Sequence, residues 1–488
     1  MLTDFTSKVK WTVFYDFTYD ISCDNVRAEF IETSTILQTR CSVSKKSSIS
    51  PTLASGFRDY LPEDMIPRQW MLDTIRSVFE RFGFLPLDTS GIEKEEVLTG
   101  GDPNFRMQIY KTALKMSEPL GLALRFDLTV PLARVVSLHS NEIAKPFKRY
   151  QMGKVWRGEK PQEGRFCEFM QFDADIIGSS RMSADAEIVV LIYETLTALG
   201  ITDFIIKVNN RKILNGLSTY VGYPADFTKD VLRKIDKLDK IGWDDMAGVL
   251  TSTLEFTPEQ LERLKKFLDL RASSNEEIIK AVLELMAISP EAVHGAQELA
   301  EITKFVDAQG IPRSVWQIDL SVARGLGYYT GPVFETILLK LPGIGSVFSG
   351  GRYDDLVSRF GGDDIPATGA SVGVDRLFAA LETLGLIPKT KTTTRVTVLN
   401  FDPNSEEYCN RVVSELRRAG IPSELYLGRE QTIKGQLAFA LKQEVSVIVI
   451  AGSRERDGGI VQVKDVRNRV QNEVLLSDLP DAVRLIIT

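Results

Sequence analysis

The stretch Lys154–Gly178, KVWRGEKPQEGRFCEFMQFDADIIG, leaves the chain few folds to choose from. Val155 and Trp156 open it as a strand, and Arg157 and Glu159 alternate around Gly158. Pro161 and Gly164 then turn the polar run KPQEG into a loop. In the second strand Glu168, Met170 and Phe172 alternate with Phe169, Gln171 and Asp173. The pattern predicts an antiparallel hairpin with a long tip, on which Arg157, Glu159, Phe169 and Gln171 share a face. That set suits a nucleoside triphosphate. Arg157 offers a planar fork of donors to phosphate oxygens. Glu159 can accept from an exocyclic amine, Phe169 can stack on a purine, and Arg165 can reach a second phosphate. The same residues also fit an ordinary amphipathic hairpin with solvated charges, and the hairpin alone does not choose.

Arg-x-Glu, a loop and a Phe-bearing strand resemble motif 2 of the class II aminoacyl-tRNA synthetases. The fuller run RGEKPQEGRFCEFMQFDADIIG resembles the histidyl-tRNA synthetase family in particular. Trp156 stands directly before Arg157, where the motif's FRxE pattern has Phe. A second stretch, Leu320–Glu335 (LSVARGLGYYTGPVFE), resembles the histidyl signature RGLDYYTGxVFE, with Gly327 in place of the usual Asp. A third, Thr368–Leu377 (TGASVGVDRL), resembles class II motif 3. The resemblance spans roughly residues 55–488.

Composition agrees with a soluble globular chain: 488 residues, 43% hydrophobic and 26% charged. No apolar run approaches the ~18 residues of a membrane span. Cys23, Cys41, Cys167 and Cys409 are scattered without a CxxC, against both a disulfide framework and a zinc site. His139 and His294 are the only histidines. The reducing cytoplasm is the expected compartment. The net charge of −7 does not favour a nucleic-acid partner, yet residues 391–488 carry 14 Lys and Arg against 13 Asp and Glu. A local balance of that kind permits RNA binding without indicating it.

Residues 1–50 carry no motif, and Ser42–Ser50 (SVSKKSSIS) reads as a polar linker. The extension lacks a signal-peptide core and holds too many acids for a transit peptide. It is expected to be poorly ordered, either a private appendage or sequence upstream of the true start. Gly56–Pro62 (GFRDYLP) resembles the family's GxRDxLP opening. A helix is predicted over 67–81, stopped by Gly83, and then a strand over 84–87. This order resembles motif 1, which in the family forms a homodimer interface; a plain core helix is the alternative.

In Leu122–Arg134 (LALRFDLTVPLAR), Asp127, Leu128 and Thr129 match positions that lie under the amino-acid substrate. The resemblance implies that Asp127 and Thr129 hold its α-amino group. A carboxylate suits an ammonium; equally, Asp127 can cap a helix starting near Val130. Lys115-Met116-Ser117 is a chance match to the class I KMSKS loop, and no Walker A motif is present.

Helical spacing predicts a helix over 184–199, a strand over 204–208, and an α-helical insertion at about 222–312. The family's insertion at this place embraces the tRNA acceptor arm. Phe348–Leu356 (FSGGRYDDL) supplies glycines for close backbone approach to a ligand. After the linker KTKTTT, residues 391–488 read as alternating strands and helices and resemble an anticodon-binding domain.

The fold class expected is thus mixed α/β: a class II antiparallel sheet with helices over 51–390, a helical insertion, and a C-terminal α/β anticodon-binding domain. The implied reaction is ATP-dependent activation of L-histidine to histidyl-adenylate, then transfer to tRNA(His). Magnesium rides on ATP, and no protein metal ligand is expected. By resemblance, Arg157 and Arg324 are catalytic at the α-phosphate, while Arg165 and Arg376 hold the β/γ end with Glu159 and Phe169 on the nucleoside. Asp127, Leu128, Thr129, Gln171, Asp175, Arg324, Tyr328 and Tyr329 form the histidine pocket, and Gln162 meets the acceptor end. Two alternatives are a silent paralogue similar to the regulatory subunit of ATP phosphoribosyltransferase and a class II enzyme for threonine or proline. Retention of the arginines and of the C-terminal domain opposes the first. The RGLGYYTG run opposes the second.

Overall fold

The computed structural model describes residues 49–100, 106–112, 121–160, 166–236, 238–323, 328–361 and 364–487. Gln162, Arg165, Arg324, Gly327 and the 115–117 match therefore lie outside the described residues, as does nearly all of the 1–50 extension. Everything below belongs to the unit Leu53–Thr488.

An eight-stranded sheet carries the site. Its strands are β1 (Leu85–Pro86), β5 (Phe147–Trp156), β6 (Glu168–Ile177), β7 (Phe204–Asn210), β8 (Trp316–Ile318), β9 (Pro332–Leu338), β10 (Ser346–Arg352) and β11 (Ala367–Gly373). Their order is β1-β5-β6-β11-β10-β9-β7-β8. The pairings β1–β5 and β7–β8 are parallel, and the inner ones are antiparallel. A three-stranded sheet of β2 (Ile92–Lys94), β3 (Lys111–Thr112) and β4 (Leu122–Leu124) lies apart from it in the hydrogen-bond ladder.

Side-chain alternation gives the large sheet one apolar and one polar face. On β6, Phe172, Ala174 and Ile176 enter the main core beneath α1 (Pro62–Arg81) and α3 (Met182–Ala198). Phe172 meets Phe79 of α1 edge-on at 5.1 Å between ring centroids. Burying a side chain of this size contributes about 1.5–3 kcal/mol. The opposite teeth, Gln171, Asp173 and Asp175, are polar and also buried. They face the side on which α2 (Thr129–Leu138) and Tyr353, Leu356 and Val357 build a smaller core.

α1 begins five residues before its predicted start because Pro62 occupies its first turn, where no amide donor is required. β5 reaches back to Phe147, so the hairpin is much longer than its Lys154 start suggested, while its first strand stops at Trp156. Arg157 and Glu159 thus lie past the strand end rather than within it. One further ladder bond, from the Arg157 amide to the Cys167 carbonyl at 2.8 Å, still holds Arg157 in line.

Between β7 and β8 lie the short helix α4 (Arg211–Asn215) and then α5 (Thr228–Ile235), α6 (Leu238–Leu254), α7 (Pro258–Leu268), α8 (Asn275–Leu285) and α9 (Pro290–Ala308). Capping explains the separate starts: Thr257 and Gln260 form a reciprocal capping box, and Ser274 and Ser289 cap α8 and α9. α6 changes direction at Gly242, which has φ 76°. After β11 comes α10 (Val374–Thr383).

The C-terminal part is a five-stranded sheet of β12 (Val396–Val398), β13 (Ser423–Leu425), β14 (Val447–Ile450), β15 (Ile460–Asp465) and β16 (Val470–Leu475), in the order β13-β12-β14-β15-β16. Helices α11 (Glu406–Arg418), α12 (Ile433–Lys442) and α13 (Leu479–Ile487) accompany it. Its core, centred on Val396, Val412, Val447 and Val461, is separate from the first. Among the described residues no helix is long and apolar enough to cross a membrane.

Candidate active site

A cleft of about 390 Å³ opens on the polar face, over β9 and β10 and beside the loop end of the β5–β6 hairpin and the last residues of β11. Asp127, Thr129, Arg157, Glu159, Phe169, Gln171, Tyr328, Tyr329, Asp375 and Arg376 all contribute to its wall. The sheet thus gathers residues that are as much as 249 positions apart in the chain, from Asp127 to Arg376.

Arg157 lies between two rings. Its guanidinium carbon is 4.4 Å from the Phe126 centroid and 4.9 Å from that of Phe169, and its Nε donates to the Phe126 carbonyl at 3.3 Å. Ring faces attract the cation while leaving the fork's edge for an anion. Arg376, in the first turn of α10, donates from Nη1 to the Ser346 carbonyl at 3.3 Å. One cation therefore sits at the hairpin and a second at the start of α10.

The other end of the cleft is acidic and phenolic. Asp127 Oδ1 accepts the Val130 amide of α2 at 3.0 Å, so the capping role anticipated for it is real. Its Oδ2 is buried with no hydrogen-bond partner among the described residues. Burial raises the Asp127 pKa, and the Val130 amide and the Arg157 charge oppose that rise. Tyr328 and Tyr329 meet edge-on at 5.1 Å. Burial, with nearby carboxylates, holds both phenols well above their ordinary pKa, so they stay neutral donors. Gln171 Nε2 donates to Ser371 Oγ at 2.7 Å, while its Oε1 is buried without a partner among the described residues. Buried polar atoms are rarely left unpaired, and a polar ligand in the cleft would satisfy these two.

Asp175 is placed differently from the expectation. It shares a face with Gln171 but does not line the cleft. Arg149 of β5 approaches it at 2.8 Å and Tyr353 donates to Oδ1. Alternation fixes the face of a strand and not the depth: four residues of strand carry Asp175 roughly 13 Å beyond Gln171. Leu128 also stays out of the cleft, with its side chain fully buried and its carbonyl accepting from Arg149 at 3.3 Å. The glycines of FSGGRYDDL have a closer use than ligand approach alone. A Cβ on Gly350 would fall 2.1 Å from the Gly369 carbonyl, and one on Gly351 would fall 2.9 Å from the Tyr329 ring. Arg352 is structural, buried against Asp185 of α3.

Comparison with known proteins bears on the same residues. The histidyl-tRNA synthetase family model matches residues 56–377, and an anticodon-binding domain matches 394–485. The chain belongs to the histidyl-tRNA synthetase family. It is 42% identical to the histidine–tRNA ligase of Rhodopirellula baltica over 89% of this chain and 98% of that one. With the histidine–tRNA ligase of Wolinella succinogenes it shares 41% identity over 87% of this chain and 95% of the relative. The crystal structure of histidyl-tRNA synthetase from Nostoc sp. PCC 7120 superposes with a TM-score of 0.78 at 32% identity, covering 90% of this chain and all of that one.

Beyond the residues named by family resemblance, the structure adds Arg149, Asp173, Tyr353, Phe126 and Asp375. Asp173 could have been found by parity, because it lies between Gln171 and Asp175 on the same side of β6. It is fully buried, and loss of solvation raises its pKa to about 7 despite the Arg149 charge. Arg149 was hidden in FKRYQMG, where basic residues next to one another read as surface. Asp375 gave no local signal, since its side-chain partners come from the far end of the chain.

Proposed function

We propose that the cleft activates L-histidine with ATP and passes the histidyl group to tRNA(His), the histidine–tRNA ligase reaction of this family. ATP and histidine compete for no common ground here, because the cationic and phenolic ends of the cleft differ in chemistry. Arg157 serves the α-phosphate together with Arg324. Arg165 and Arg376 serve the β/γ end, Phe169 stacks on the adenine and Glu159 accepts its amine, and magnesium accompanies ATP as part of the substrate. Asp127 and Thr129 take the α-ammonium. Tyr328, Tyr329 and Gln171 surround the imidazole, and Asp175 acts from behind through Arg149 and Tyr353.

The substrate carboxylate is the nucleophile. It attacks the α-phosphorus and expels pyrophosphate, so the protein's share is alignment and neutralisation of developing charge. In this reading residues 51–390 are the catalytic domain with its insertion on the acceptor arm. Gln162 touches the acceptor end, and 391–488 read the anticodon. α1 pairs two copies into a homodimer working in the cytoplasm.

The observation that carries the reading is the pairing of Arg157, held between two rings, with the unpartnered buried Asp127 Oδ2 and Gln171 Oε1 in one cleft. ATP–pyrophosphate exchange, run with each amino acid in turn, tests it. Exchange with histidine alone is expected. Exchange with threonine or proline, or with none, overturns the reading, and a fully active monomer at micromolar concentration in sedimentation overturns the dimer.

A further inference from the structure

Four groups from three separate stretches of chain meet on one carboxylate. Asp375 is the second residue of α10. Its Oδ1 is reached by Arg68 of α1 at 3.0 Å, by Arg58 at 3.4 Å and by the Tyr60 hydroxyl. Its Oδ2 accepts the Met170 amide of β6 at 3.1 Å.

The cations are stacked as well as paired. Arg58 lies 4.2 Å from the Tyr60 centroid and 4.5 Å from that of Phe166, and Arg68 lies 4.5 Å from Tyr60. The opening segment is itself pinned to the hairpin, since the Cys167 amide donates to the Gly56 carbonyl at 2.8 Å.

A helix start is already favourable for an acidic side chain, and its own amides could satisfy one. Asp375 instead bonds outward to the opening segment, to α1 and to β6. Two arginines on one carboxylate leave a positive surplus beside Arg376, the next residue. Asp375, Arg376 and Phe166 all line the cleft. The Arg68 side chain is only 2% exposed, so the arrangement is built in and not a chance surface pair.

We infer that Asp375 is a positioning residue for Arg376: through Tyr60, Arg58 and Arg68 it locks the start of α10 to the opening segment and α1, and so fixes the polyphosphate end of the cleft. The inference rests on the reading that Arg376 engages the ATP phosphates. It gives Gly56–Tyr60 a part in nucleotide binding, although the segment lies outside all three class II motifs.

The test is ATP–pyrophosphate exchange by the full chain and by Asp375→Asn, Tyr60→Phe and Arg58→Ala, with KM for ATP, KM for histidine and Tm measured for each. Loss of a hydrogen bond to a charged group predicts a KM for ATP raised about tenfold in Asp375→Asn and about threefold in Tyr60→Phe, with KM for histidine within about twofold of the parent. Parallel rises in both KM values, or a lower Tm with KM for ATP unchanged, would overturn the inference. If Asp375→Asn does not fold, Tyr60→Phe and Arg58→Ala decide by the same split. A parent chain without histidine-dependent exchange would overturn the functional reading itself. An active parent whose variants keep its KM for ATP overturns the positioning role alone.

Discussion

Arg149 and Asp175 oppose each other across β5 and β6, Nη2 lying 2.8 Å from Oδ2, with side chains 0% and 4% exposed. Gly369 makes the room, because a Cβ there would fall 2.1 Å from Asp175 Oδ1. Taking one member away leaves the other charge buried and uncompensated. Arg149→Met is expected to cost about 3–5 kcal/mol in urea unfolding. The double variant Arg149→Met/Asp175→Leu should recover most of that loss. Additive losses in the double variant would show that the two groups do not depend on each other.

Asp173 gives a pH-dependent expectation. Its folded pKa of about 7 lies above the ordinary 3.8. Between about pH 4 and 7 the folded chain therefore holds a proton that the unfolded chain has lost, and this group's contribution to stability falls as pH rises through that window. Asp173→Asn cannot ionise. Its Tm relative to the parent should climb from about pH 5 to about pH 8. A difference that is equal at both values would mean that Asp173 titrates like an exposed acid.

Arg324 and Tyr329 should separate rate from recognition. Arg324→Ala is expected to slow adenylate formation about 10²–10³-fold, with little change in histidine affinity, because a preorganised donor acts mainly on transition-state charge. Tyr329→Phe should weaken histidine binding and leave ATP binding alone. Single-turnover kinetics with calorimetric titration of each ligand checks both. A parental rate in Arg324→Ala would remove it from the mechanism.

Gln162→Ala should slow transfer to tRNA and spare adenylate formation, since the loop that carries it is read as an acceptor-end contact. The two half-reactions are followed separately by aminoacylation and by exchange. An equal loss in both would reassign the residue to the ATP site.

Deleting residues 1–50 should leave histidine-dependent exchange within a fewfold of the full chain, because the family match begins at residue 56. Loss of folding on deletion would make the extension part of the domain.

The hairpin, the helix before it and the glycine-led start of α10 could be read in the sequence because each has a short-range signature: alternation, periodicity, a capping glycine. Asp127, Phe169 and Gln171 were reachable through motifs. Three kinds of information were not. Depth along a strand misplaced Asp175. Buried charge in a basic run concealed Arg149. Convergence over long separations concealed Tyr60 and Asp375, whose bond spans 315 positions. β16 carries no such signature either: its six residues are almost wholly exposed, so no buried face marks them.

The helices between β7 and β8 limit how this protein can be trimmed. β7 and β8 run parallel, Ile206 beside Trp316. A chain leaving the far end of one strand must travel back along the sheet before it can enter the other. The stretch 211–315 supplies that return path, and α9, packed on α3, α4 and β7, is its final leg. A shortened version that splices Asn210 directly to Trp316 would reverse β8 or lose it, exposing the β7 edge. One that keeps α4 and α9 must keep α8 too, because the buried Asn275 Oδ1 accepts the Ile318 amide of β8 at 2.8 Å. The apolar side of the helices before it, Val231, Leu250 and Phe267 among them, belongs to the same core as the sheet, so only their exposed faces are free to vary.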